Sequence, residues 1–272
     1  MTALEDFHED ILGKAMRGLG IGKNEMAQIL NLEKSKIEQV LNGAVDEALI
    51  KRMSKELKLD DAKLIRSARK EWAPVPVVVN GLKQFESSFG EMFVNAYVIW
   101  DDVTQAAWIF DTGTDSQAML KFLDEKKLKV DAIFLTHTHR DHVACLDLLV
   151  NYTEKPKIYV HELEIMDGCV PIDEKFKHSL NSLYLETRHT HGHSEGGMTY
   201  LIKGLERPVA IVGDAIFAGS MGGGMVSYDD ALRTNKEKIL SLSEDTILCP
   251  GHGPMTTISE EKTNNPFFPE FS

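Results

Sequence analysis

The chain contains no apolar run approaching the roughly 20 residues that a membrane-spanning helix needs, so no membrane association is expected. It has only three cysteines, Cys145, Cys169 and Cys249, and no CxxC pair. An odd and scattered set of thiols argues against a disulfide framework and points to a reducing compartment. The opening stretch MTALEDFHED is acidic and lacks a basic flank with an apolar core. No secretory signal is expected from it, and a cytoplasmic location is. Positive charge is also short. Residues 1–72 hold equal numbers of basic and acidic side chains, so the whole net charge of −12 falls on residues 73–272. A surface of that sign repels nucleic acid polyanions and leaves a small molecule as the natural partner. Internal repeats and low-complexity segments are absent.

What is present divides in two. Residues 1–72 place apolar side chains three and four apart in LEDFHEDILGKAM, KNEMAQIL, KSKIEQVLN, DEALIKRMSKEL and DAKLIRSARKEW, which predicts helices. APVPVVV (73–79) ends them with two prolines, and the domain boundary is expected there, giving a helical domain over 1–72 and a second domain over 73–272. Beyond it, strand-like runs dominate, from PVVVN and MFVNAYVIW to VAIVGD and TILCPG. Helical patterns intervene at SQAMLKFLDEKK, DHVACLDLLVNY and DALRTNKEKILSLS. Strands that are apolar nearly throughout predict sheets covered on both faces, sandwiched between helical layers.

FLTHTHRDHV (134–143) puts three histidines and an aspartate into six consecutive positions behind an apolar run. Unpaired polar groups at the end of a buried strand are costly, so the cluster needs a purpose. His137 and His139 lie at i and i+2, where extended backbone points both side chains the same way, towards one ion. Asp141 and His142 follow where a helix starts and can face a second ion. THGHSEGG (190–197), VAIVGDAIFAG (209–219) and ILCPGHGP (247–254) repeat the pattern, each with a ligand-type residue after an apolar strand. Rigid strands carrying such residues on adjoining loops can build one site.

HxHxDH, here His137-Thr-His139-Arg-Asp141-His142, resembles the hallmark of the metallo-β-lactamase fold superfamily. NAYVI (95–99), IFDTG (109–113), HGHSEGG, GDAIFAGS and PGHGPMTTISEEKTNNPF make the chain most similar to short glyoxalase II-like hydrolases over roughly residues 75–268. The resemblance implies an α/β fold, the αββα sandwich, with a two-metal site at one edge. It implies one ion on His137, His139 and His193, a second on Asp141, His142 and His252, and Asp214 bridging them. Histidine and carboxylate ligands suit zinc first, then iron or manganese. Two such ions can share a water, lower its pKa and polarise a carbonyl. Asp141 and Asp214 are then the catalytic carboxylates, and a bridging hydroxide would attack a thioester or related ester. A mononuclear-iron persulfide dioxygenase and a lactonase share much of this pattern. Antibiotic-cleaving members resemble it but lack the bridging aspartate. GSMGGG departs from the family's GSxGR, with Gly223 where arginine is expected.

KNEMAQILNLEKSKIEQVLNG (23–43) resembles the helix-turn-helix of the lambda-repressor-like family, with Asn31 at the turn. DNA binding through Ser35, Lys36 and Gln39 would make the chain a regulator with a metal-site sensor domain. The segment lacks a basic footprint, and interaction, homodimer formation or packing at the substrate edge is the preferred expectation.

Overall fold

The computed structural model describes residues 3–271. Five helices come first: α1 (His8–Gly18), α2 (Lys23–Leu30), α3 (Lys34–Leu41), α4 (Glu47–Glu56) and α5 (Asp61–Ala68). The chain then builds β1 (Leu82–Phe89), β2 (Met92–Trp100), β3 (Ala106–Phe110), α6 (Gln117–Lys126) and β4 (Lys129–Phe134). Next come α7 (Arg140–Val143), α8 (Leu146–Tyr152), β5 (Lys157–His161), β6 (Val170–Ile172), β7 (Lys177–Leu180), β8 (Leu183–His189) and β9 (Met198–Lys203). The last elements are β10 (Val209–Gly213), α9 (Tyr228–Thr234), β11 (Ile247–Pro250), β12 (Thr256–Thr257) and α10 (Ile258–Asn264).

The strands form two six-stranded sheets, ordered β1-β2-β3-β4-β5-β6 and β12-β11-β10-β9-β8-β7. Both are mixed: β3, β4, β5 and β6 run parallel, as do β10 and β11, while the remaining neighbours are antiparallel. Side chains alternate across each strand, and both faces are apolar. In β10, Val209 and Ile211 enter the core between the sheets, while Ala210 and Val212 face helices. In β3, Trp108 and Phe110 point inward and Ala107 and Ile109 point towards α6 and α8. Aromatic rings fill the middle, Phe134 lying 5.8 Å from Trp108 and 5.3 Å from Tyr200 between centroids. The result is helices, sheet, sheet, helices: the αββα sandwich that the sequence predicts.

The N-terminal helices rest on the outer face of the second sheet. Ile11, Leu12, Met26, Ile37, Ile50 and Met53 belong to one continuous core with Ala210, Val212, Ile216 and Leu248. Buried Lys63 on α5 donates through Nζ to the carbonyls of Lys262 (2.8 Å) and Phe268 (3.1 Å), tying the helices to the C-terminal segment. Asn31 takes left-handed backbone (φ 50°) between α2 and α3, a conformation asparagine tolerates. Ala27, Ile37 and Val40 are buried there, while Ser35, Lys36 and Gln39 are exposed. Among the described residues, no helix is long and apolar enough to cross a membrane.

Three local expectations differ from the structure. PVVVN (76–80) forms no strand. Pro74 and Pro76 carry no N–H for a ladder, and Val78 is 93% exposed while Val79 packs inward, so the segment crosses the sandwich without a partner. The helix foreseen over DHVACLDLLVNY breaks at Ala144 and Cys145 into α7 and α8. β1, β6, β7 and β12 are strands that no apolar run announces: β1 (LKQFESSF) and β7 (KHSL) are largely polar, β6 (VPI) holds a proline, and β12 has only two residues.

Candidate metal centre

Strand ends converge at one edge of the sandwich. After β4, His137 follows Thr136, His139 caps α7, and Asp141 and His142 occupy its first turn. The turn between β8 and β9 carries His193, β10 ends just before Asp214, and β11 ends two residues before His252. The structure brings together all seven residues that the sequence singles out. His137 Nε2 and His193 Nε2 each stand 3.0 Å from His139 Nδ1. Asp141 Oδ2 is 3.3 Å from His252 Nε2 and 3.7 Å from His142 Nε2. Asp214 lies between the two groups: Oδ2 is 3.4 Å from both His193 Nε2 and His252 Nε2, and Oδ1 is 3.3 Å from His142 Nε2. Five of the seven are buried, whereas His139 is exposed and His193 half-buried, so the cluster opens on their side.

Outward hydrogen bonds fix the rings. His142 Nδ1 donates to Asp111 Oδ2 (2.9 Å), His252 Nδ1 to the carbonyl of Phe93 (2.6 Å) and His193 Nδ1 to that of Gly223 (2.9 Å). Thr136 gives its hydroxyl proton to Asp111 Oδ2 (2.8 Å) and so accepts from His137 Nδ1 (3.0 Å). Each ring thereby turns Nε2 inward, the arrangement by which a protein orients histidine ligands. His137 Nε2 and His193 Nε2 therefore both direct lone pairs at His139 Nδ1, which carries at most one proton to share between them, and a cation there reconciles all three. His142 Nε2 and Asp214 Oδ1 are buried and make no hydrogen bond. Buried donors and acceptors are rarely left so, and a divalent ion satisfies both. The donor set thus fits metal.

The charges within the cluster depend strongly on one another. Burial disfavours charge on Asp214, but His142 and His252 more than offset it and hold its carboxyl well below the usual range. Burial likewise opposes a proton on His142, yet Asp214 and Asp111 raise it to about 10. Burial and the neighbouring His142 depress His137 well below the usual histidine value, leaving a neutral ring.

Asp111 received no role from the sequence, although IFDTG ends an apolar strand in a carboxylate just as VAIVGD does. Its backbone takes φ 54°, and its Oδ1 accepts from the Thr136 N–H at 2.7 Å. Asp111→Asn keeps the shape but replaces an acceptor with a donor facing His142. Metal affinity is expected to fall about 10–100-fold, measured by competition with a chromogenic chelator. Glu164, which no local pattern marks, accepts from the Thr138 backbone and hydroxyl and from the Gly196 N–H (3.0 Å), joining two loops of the centre. His191 stays outside the cluster, 3.7 Å from Asp230 through Nε2.

Beside the cluster lies a cavity of about 630 Å³, bounded by His193, Asp214 and His252 on one side and by α1 on the other. That volume accommodates a small-molecule substrate. Lys14 donates to Asp6 and to the carbonyl of Met221 (2.9 Å), and Ser220 Oγ donates to Asp6 (2.6 Å), pinning α1 to the loop that follows Asp214.

The profile of the metallo-beta-lactamase superfamily matches residues 89–168. A Bacillus subtilis protein named "Probable metallo-hydrolase YqgX" is 31% identical over 67% of this chain and 96% of its own length. The Haemophilus influenzae hydroxyacylglutathione hydrolase GloC is 30% identical over 64% of this chain and 92% of its own. The crystal structure of the BLEG-1 B3 metallo-beta-lactamase superposes with a TM-score of 0.59 at 30% identity, covering 68% of this chain and 98% of that one. With two apolar-cored sheets, a histidine and aspartate cluster at their edge and these relatives, the chain belongs to the metallo-beta-lactamase superfamily.

Proposed function

We propose that the protein is a binuclear metal-dependent hydrolase acting on a thioester or related ester. The observation that carries this reading is the position of Asp214, whose Oδ2 is equally distant, at 3.4 Å, from a histidine of each group. His137, His139 and His193 would hold one ion, Asp141, His142 and His252 the other, and Asp214 both. Two divalent ions at such a site supply Lewis acidity and an activated water.

The chain's own residues do the rest. Asp111, Thr136, Phe93 and Gly223 orient the ligand rings through their Nδ1 protons. Asp141, 3.3 Å from His252, orients the attacking water, which is why it is taken with Asp214 as catalytic. Phe217 and Met225 supply apolar surface in a cavity otherwise lined mostly by charged side chains. Zinc is the preferred metal, with iron or manganese next.

The test is a substrate panel on one metal-loaded preparation, comprising thioesters, lactones, a β-lactam and a persulfide with oxygen uptake. Thiol release from thioesters as the fastest reaction supports the reading. Oxygen uptake on persulfide with one iron per chain replaces it with a dioxygenase, and lactone or β-lactam hydrolysis alone replaces the substrate class.

A further inference from the structure

The acidic and basic groups along the α1 wall of the cavity are unequally committed. Asp6 is held by Lys14 and Ser220, Glu9 pairs with His8 (2.8 Å), and Asp10 accepts from the Phe7 N–H (3.2 Å). Lys14 is engaged by Asp6, by the Met221 carbonyl and by the ring of Phe217, 4.8 Å away. Arg17 and Lys23 also line the cavity, yet among the described residues neither has a carboxylate within ion-pair distance. The Arg17 guanidinium folds back along its own helix: a Cβ placed on Gly13 would lie 3.2 Å from its Nη1. It therefore points along the face that borders the cavity rather than away from it.

The wall is also graded. Glu5 lies at the metal end, its backbone N 3.3 Å from a Cβ placed on Gly253, next to His252. Arg17 lies two turns beyond Glu9, about 12 Å further along the helix. Gly13 between them presents no side chain to the cavity. Asp10 and Lys14, which flank Gly13 on this wall, are already paired, whereas Arg17 in the last turn of α1 and Lys23, which opens α2 five residues after α1 ends, are not.

We propose that Arg17 and Lys23 bind a carboxylate on the substrate, at the end remote from the bond cleaved beside Asp214. The N-terminal helices then act as the recognition wall of the site, and the substrate class narrows to esters or thioesters carrying an anionic tail. The proposal rests on the metal centre being the reaction site. The chain's net charge of −12 repels anions in general, so a preference for carboxylate must come from a local pair of cations.

The probes are ω-mercaptocarboxylates from 3-mercaptopropionate to 8-mercaptooctanoate, each beside its neutral amide. Their binding to the zinc-loaded full chain is measured by titration calorimetry. At the length that spans the cavity, the acid is expected to bind about tenfold more tightly than the amide, the sum of two partly exposed ion pairs. In Arg17→Ala with Lys23→Ala that preference disappears, while amide affinity and metal content stay unchanged. Lys121→Ala, an exposed lysine on α6, leaves the preference intact. Equal affinity for acid and amide at every length overturns the proposal, and so does a preference that survives the double substitution. Binding needs no turnover, so the two readings fail separately. A carboxylate preference without thioester hydrolysis supports this site and removes the hydrolase, whereas hydrolysis with equal affinities does the reverse.

Discussion

Asp214→Ala is expected to lower thioester turnover by about 10³-fold or more, equivalent to roughly 4 kcal/mol of lost transition-state stabilisation. Asp214 Oδ2 lies 3.4 Å from a nitrogen of each histidine group, so under the proposed two-ion reading its loss would take a ligand from both ions at once. His142 Nε2, buried without a hydrogen-bond partner, would also lose the carboxylate 3.3 Å away. Metal content measured on the same protein should fall with activity. The sandwich should survive, because the apolar core between the sheets does not include this position. Asp214→Asn separates charge from shape: if the carboxylate acts as a bridging ligand, the amide variant resembles alanine in metal content.

Gly251→Ala tests the same geometry without touching a proposed ligand. A Cβ at position 251 would lie 2.1 Å from Asp214 Oδ1 and 2.7 Å from His142 Cε1. The backbone there cannot retreat, because the Gly251 N–H donates to the Gly213 carbonyl and its own carbonyl accepts from the Asn95 N–H, both at 2.8 Å. The side chains of Asp214 and His142 must move instead. A displacement of about 1 Å in a catalytic constellation costs on the order of 10²-fold in rate, and that loss in kcat is expected here. Gly22→Ala is the control, since Gly22 lies outside the cavity lining and nothing lies within 4 Å of a Cβ placed there. It should stay near wild-type activity.

Much of the sandwich and the candidate ligands could be read in the sequence for one reason. An apolar strand ending in histidine or aspartate is a local pattern, and it recurs at Phe134–His137, Val212–Asp214 and Cys249–His252. What the sequence hid depends on contacts between distant segments. Asp111 follows the same pattern but takes its role from His142, which is visible only once β3 and β4 lie side by side. The position of α1 over the cavity depends on Asp6 meeting Ser220 and Lys14 meeting Met221, more than 200 residues apart. Nothing in the local spacing of EDILGKAMRG distinguishes such a wall from an ordinary amphipathic helix. PVVVN misled because β-branched composition signals extended backbone, whereas a strand also needs a neighbour with free hydrogen-bonding groups.

Residues 23–43, the helix-turn-helix-like segment, lie across two environments. Ser35, Lys36 and Gln39 are exposed, but Lys23 at the start of α2 faces the cavity beside the metal centre. We propose that the helical segment serves the substrate edge rather than a duplex.

Seven side chains arranged as one centre for two ions would set the metal stoichiometry of the chain. Inductively coupled plasma mass spectrometry on zinc-reconstituted, buffer-exchanged protein should give about two ions per chain, with Asp214→Ala well below that. A single ion per chain, unchanged by substituting Asp141 or His252, rules out the two-ion centre.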